Sequence, residues 1–130
     1  MSSSRYVISI ALDENNLIAT LPGRLWKLRN LRGLCIGGNS GLLGSVGEIL
    51  YANMTALQRV DLAFNKLYGR IPGEVLVQMM SMVKIQLCCQ TGEGLSGEIP
   101  KDIGNLTKLQ VVSLGENRLY GLIPKSIGKL

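Results

Sequence analysis

Histidine is missing from all 130 residues, which removes Ser-His-Asp and Cys-His nucleophilic arrangements and the common histidine-bearing metal sites. Cysteine is scarce: Cys35 and the adjacent pair Cys88 and Cys89. With no second pair at zinc spacing, a four-ligand zinc site is excluded too. Charged residues make up only 18% of the chain while 46% is hydrophobic, a balance that excludes a disordered, self-repelling polymer and calls for a continuous apolar core. The longest apolar stretch, residues 75–89, is broken by Gln78, Ser81, Lys84 and Gln86 and is too short to span a bilayer. Met1-Ser2-Ser3-Ser4 lacks the apolar run of a secretory leader. No Pro/Ser-rich linker or shift of composition marks a boundary, so one domain over residues 1–130 is expected.

What the chain does have is a phrase spoken five times, apolar-x-apolar-x-x-Asn-x-Leu-x-Gly-x-Ile-Pro. The last copy places Leu109, Val112, Leu114, Leu119, Ile123 and Ile127 around Asn117, Gly121 and Pro124. Stepping backwards in the same register divides the chain into repeats at about 4–27, 28–53, 54–78, 79–105 and 106–130. Such periods mark a solenoid of stacked coils. Val60-Asp61-Leu62 and Val112-Ser113-Leu114 alternate apolar and variable residues, as a short strand with one buried face does. Asn15, Asn39, Asn65 and Asn117 follow where the chain turns inward, and a column of amides satisfies the polar backbone buried there. Gly-x-Ile-Pro then crosses the far side, glycine supplying an unusual dihedral and proline a fixed one.

Residues 106–130, Leu-Thr-Lys-Leu-Gln-Val-Val-Ser-Leu-Gly-Glu-Asn-Arg-Leu-Tyr-Gly-Leu-Ile-Pro-Lys-Ser-Ile-Gly-Lys-Leu, resemble the plant-type extracellular leucine-rich repeat. That type occurs in receptor-like kinase ectodomains, receptor-like proteins and polygalacturonase-inhibiting proteins. The resemblance covers essentially residues 4–130. It implies an α/β solenoid of about five parallel coils, with a short parallel sheet on the concave side and 3₁₀ or irregular turns on the convex side. It also implies a concave face that binds a peptide, small hormone, glycan or partner protein, with no catalytic residue and no cofactor.

Departures from the phrase individualise the chain. One residue is added after Asn39, and Val46-Gly47 replaces Ile-Pro in the second repeat. In the fourth, Gln90 takes the asparagine position and Thr91-Gly92-Glu93 is inserted, which predicts a loop bulging beside the strand end. The segment 74–81 accommodates a short helix, with its methionines as core filler. Gly37-Gly38-Asn39-Ser40-Gly41 lacks the Gly-Lys-Ser/Thr ending of a phosphate loop and reads instead as a repeat turn. Asp13 and Glu14 diverge as neighbours in an extended chain and read as solvated.

The register lists the face turned away from the core. Its centre carries Arg32, Arg59 and Lys84 with Asp61, Gln86 and the sole phenylalanine, Phe64. A cationic, partly aromatic patch suits a peptide bearing carboxylate or sulfate, an acidic protein surface, or a glycan-bearing partner. Nucleic acid is the disfavoured use of the net charge of +5, because Arg24, Lys27 and Arg29 fall on the convex side among leucines. Asn53 and Asn105 each open a glycosylation sequon, Asn53-Met54-Thr55 and Asn105-Leu106-Thr107. These favour an extracellular or cell-surface setting with no membrane insertion by this segment. The absence of a leader and of disulfide caps keeps a cytoplasmic setting as the alternative. Cys35 and Cys88 stand two coils apart, about 10 Å and beyond disulfide reach; a Cys88–Cys89 bridge is possible but strained, and free thiols are the default expectation. A chain stopping at a repeat boundary leaves a second function open, a structural protein or homo-oligomer associating end to end through uncapped coils.

Overall fold

The computed structural model describes residues 7–50 and 54–130. Among the described residues ten short strands follow one another: β1 (Ser9–Ala11), β2 (Ile18–Ala19), β3 (Gly33–Cys35), β4 (Gly41–Ser45), β5 (Arg59–Asp61), β6 (Lys66–Arg70), β7 (Lys84–Gln86), β8 (Gly94–Glu98), β9 (Val111–Ser113) and β10 (Arg118–Tyr120). The odd strands form one parallel sheet in the order β1-β3-β5-β7-β9, and the even strands a second, β2-β4-β6-β8-β10. Each winding therefore contributes one strand to each sheet, and each strand pairs only with its counterparts in the adjacent windings. The windings close through two single-turn helices, α1 (Val46–Leu50) and α2 (Gly73–Leu76), and through 3₁₀ turns at Gly23–Lys27, Ile103–Asn105 and Lys125–Lys129.

The first sheet pairs in the register expected from the repeat: Ile10 with Leu34, Leu34 with Val60, Val60 with Ile85, and Ile85 with Val112. This row points inward, and Leu34, Val60 and Ile85 are buried in one apolar cluster with Leu31, Leu57, Leu62, Leu67, Leu87 and Leu95. Met79 and Met82 fill the same core, while Met80 is exposed. Burial is deepest in the middle windings: Leu34 is 0% exposed, whereas Leu12 and Val112 in the outermost ones are 45% and 37% exposed.

The asparagine column is a hydrogen-bonded seam between windings. Asn65 Nδ2 donates to Leu62 O in its own winding (2.9 Å) and to Ile36 O in the preceding one (3.1 Å), while its Oδ1 accepts from Asn39 N (2.9 Å). Asn39 repeats the pattern with Ile36 O, Leu12 O and Leu17 N, and Asn117 with Leu114 O, Leu87 O and Leu95 N. Gln90 does the same one methylene longer, donating to Leu87 O and Leu62 O and accepting from Leu67 N. Among the described residues no buried side-chain nitrogen or oxygen is left without a partner.

The far side carries the expected 3₁₀ turns and, in addition, a second sheet. This second sheet arises because the Leu-x-Gly stretch runs extended before Ile-Pro and pairs with the same stretch of the neighbouring windings. A glycine sits at one fixed place in four of these segments with positive φ: Gly44 (149°), Gly69 (93°), Gly97 (83°) and Gly121 (88°). The first winding puts Ala19 there at φ 64°, a left-handed conformation that disfavours a Cβ. Helix α1 begins at Val46, where Val-Gly replaces Ile-Pro and the second residue keeps its N–H. Helix α2 follows Pro72 as expected of a fixed φ at a helix start, but stops at Leu76 rather than filling 74–81.

Candidate functional site

The outer face of the first sheet is built by the residues that alternate with the buried row. Arg59 stands between Gly33 and Lys84 in the register, and Asp61 between Cys35 and Gln86. Adjacent strands lie about 4.8 Å apart, so the Arg59 and Lys84 stems rise side by side. Arg32 joins them from the previous winding, its carbonyl accepting from both Gln58 N (2.7 Å) and Arg59 N (3.0 Å). Arg32 and Arg59 are exposed and Lys84 half-buried. Asp61 is half-buried, and its Oδ1 accepts from Ala63 N at 3.1 Å.

These charges are sorted along the strand direction. Cations occupy the strand starts, at Arg32, Arg59 and Lys84, and carboxylates the strand ends, at Asp13, Glu14, Asp61 and Glu116. Cys35 lies where the two fields meet. Burial first, then Asp61 and Asp13, push its thiol pKa above the usual value, while Arg59 and Lys84 pull against that shift. The glycine run of the second winding forms a saddle beneath the carboxylates: a Cβ on Gly37 would lie 2.9 Å from Asp61 Oδ1, and one on Gly38 2.6 Å from Glu14 Oε1.

Phe64 stands just past the Asp61 strand and is 57% exposed. It belongs to a row that sequence reasoning did not anticipate as a structural class. Glu14, Gly38, Phe64, Cys89 and Glu116 each directly precede the amide of the seam, and all five have positive φ, from 51° to 74°. Backbone bonds join the row across windings, Gly38 N to Ala63 O, Phe64 N to Cys88 O and Cys89 N to Gly115 O. Only one member is glycine, so composition gave no signal of the conformation.

The structure thus brings Arg59, Lys84 and Arg32 into one patch, with Asp61 and Gln86 paired beside it and Phe64 at its strand-end border. Asn105 lies elsewhere, exposed at the end of the 3₁₀ turn Ile103–Asn105. Asn53 lies outside the described residues. The Thr91-Gly92-Glu93 insertion is an exposed turn set against the second sheet, where it walls a groove of about 390 Å³ with Leu43, Lys66 and Tyr68. Among the described residues no group of three or more Cys, Asp or Glu is placed to hold a metal ion. No helix among them is long and apolar enough to cross a membrane.

A family model described as Leucine Rich Repeat matches residues 108–130. Receptor-like protein 52 of Arabidopsis thaliana is 34% identical over 94 residues, 72% of this chain and 11% of that protein. The structure superposes on the crystal structure of the BIR3–SERK2 complex from Arabidopsis thaliana with a TM-score of 0.82 and 32% identity, covering 95% of this chain and 63% of that one. It superposes equally, at a TM-score of 0.82 and 28% identity, on the Arabidopsis receptor kinase HAESA in complex with the peptide hormone IDA and the co-receptor SERK1, covering 94% of this chain and 20% of that one. The chain therefore spans about a tenth of its curated relative and less than two thirds of either solved chain. Five-row parallel pairing, an amide seam joining the windings and likeness to plant receptors come together in one assignment: this chain belongs to the leucine-rich-repeat family in its plant-type form, a non-catalytic recognition fold.

Proposed function

We propose that the outer face of the first sheet is a ligand-binding surface, in which Arg32, Arg59 and Lys84 hold the acidic part of an extended peptide or protein segment. Phe64 supplies apolar contact, and Asp61 and Gln86 supply hydrogen bonds. The observation that carries this reading is the register that sets Arg59 beside Lys84, with Asp61 beside Gln86 one step further along. Two cations side by side cost self-repulsion in the free protein, and an anion across both removes it. The HAESA complex with a peptide hormone lends support from a chain of the same fold. The likeness to receptor ectodomains and to Receptor-like protein 52 supports an extracellular setting. There Asn105, exposed and away from the binding face, and Asn53 would carry glycans.

The test uses synthetic peptides that carry a terminal carboxylate or a sulfotyrosine, against amidated and unsulfated versions, measured by calorimetry at two salt concentrations. Arg59→Glu with Lys84→Glu is expected to weaken binding of the acidic peptides by about tenfold or more, and to abolish its salt dependence. Equal affinity of wild type and variant for a peptide that does bind would remove the reading. A second reading, stacking of one array on another, would use the apolar side chains exposed on the outermost windings, Ile18, Tyr120, Leu122 and Ile123. Light scattering over a concentration series decides it, a constant monomer mass ruling it out.

A further inference from the structure

Adjacent side chains in an extended strand point to opposite sides, yet Cys88 and Cys89 do not. Cys89 has φ 65°, which breaks the alternation just past β7 and turns both thiols to one side. Their sulfurs lie 2.7 Å apart, Cys89 Sγ donating to Cys88 Sγ. Both residues are half-buried and free, so a small solute reaches them. The backbone on either side is held: Cys88 O accepts from Phe64 N and from Gln90 Nε2, and Cys89 N donates to Gly115 O. Cys35 is in a different row, two windings away, and takes no part.

We propose that Cys88 and Cys89 form a dithiol modification site that hydrogen peroxide converts to a disulfide between neighbouring residues. Cys88 acts as the attacking sulfur and Cys89, which holds its proton, as the resolving one. Its thiolate attacks one peroxide oxygen, the O–O bond breaks, and the departing hydroxide takes up a proton as water, leaving a sulfenic acid on Cys88. Cys89 then attacks that sulfur, the S–O bond breaks, and the Cys89 proton leaves with the hydroxyl as a second water. Two thiols are oxidised and one peroxide is reduced. The Cys89 thiol, whose pKa is pushed up to about 11 first by its hydrogen bond to Cys88, keeps the proton needed for that second water. Cys89 belongs to the same left-handed row as Phe64.

The reduced wild-type chain is treated with hydrogen peroxide, alkylated, and cut with trypsin after Lys84 and Lys101, which isolates both cysteines on the peptide 85–101. That peptide should appear unlabelled and about 2 Da lighter than its dithiol form, while the peptide bearing Cys35 keeps its label. In Cys89→Ser, which stops the second step only, Cys88 should instead be captured as a sulfenic acid by dimedone. Two labels on 85–101 after an exposure that consumes reduced dithiothreitol would overturn the proposal. So would disulfide-linked dimers of the wild-type chain as the main product.

Discussion

Asn65 and Asn15 occupy the same slot of the repeat but stand in different surroundings. Asn65 is fully buried and satisfies Leu62 O, Ile36 O and Asn39 N, groups that no water reaches. Asn15 is exposed and, among the described residues, donates to Leu12 O and Asp13 O of its own winding. Removing a partner costs most where the remaining group is left dry. Asn65→Ala should therefore lower stability by about 3 kcal/mol and Asn15→Ala by under about 1 kcal/mol, a contrast that urea unfolding of the two variants will read. The amide seam was legible in the sequence because its residue type announces its chemistry, and Gln90 fits it with the same donor and acceptor. The left-handed row beside it was hidden: glutamate, phenylalanine and cysteine are not residues that announce positive φ, and the seam behind them imposes it. A Cys88–Cys89 bridge could be read from the sequence only as a strained one for the same reason, since the left-handed turn that brings the two thiols together carries no mark in the sequence.

At the scale of the element, the strands of the first sheet were readable from period-two alternation, because one face is buried and register is then strongly specified. The outer rows that hold Arg59, Lys84, Asp61 and Gln86 follow from it. The second sheet was not readable. Its strands are as short as Ile18–Ala19, β4, β6 and β8 contain the glycine that otherwise signals a turn, and the strands pair with copies of themselves in adjacent windings. The slot that glycine fills in four windings and Ala19 fills in the first is a place where the chain departs from its own rule. A Cβ in the left-handed region costs about 1 kcal/mol, and glycine returns part of that gain through the freedom it adds to the unfolded chain. Ala19→Gly is accordingly expected to raise stability by roughly 0.5 kcal/mol, with a matching rise in the melting temperature.

For the molecule as a whole, stability is a sum of winding-to-winding contacts, since no winding buries its own leucines. The middle windings have neighbours on both sides and the driest core, as Leu34, Leu62 and Leu87 show, while Leu12 and Val112 are partly exposed. Native-state hydrogen exchange should find the amides of β3, β5 and β7 the slowest and those of β1 and β9 faster by at least about tenfold. Equal protection throughout would mean that the array opens only as a unit. The pairing of windings also sets the pitch of the stack. Each sheet spaces successive windings by about 4.8 Å, whereas a wall of packed helices would demand about 8–10 Å. The five rows on the outer face of the first sheet therefore measure about 19 Å from first to last. That length matches about six residues of fully extended peptide, so a peptide lying along the proposed binding face would meet one row after another like marks on a ruler.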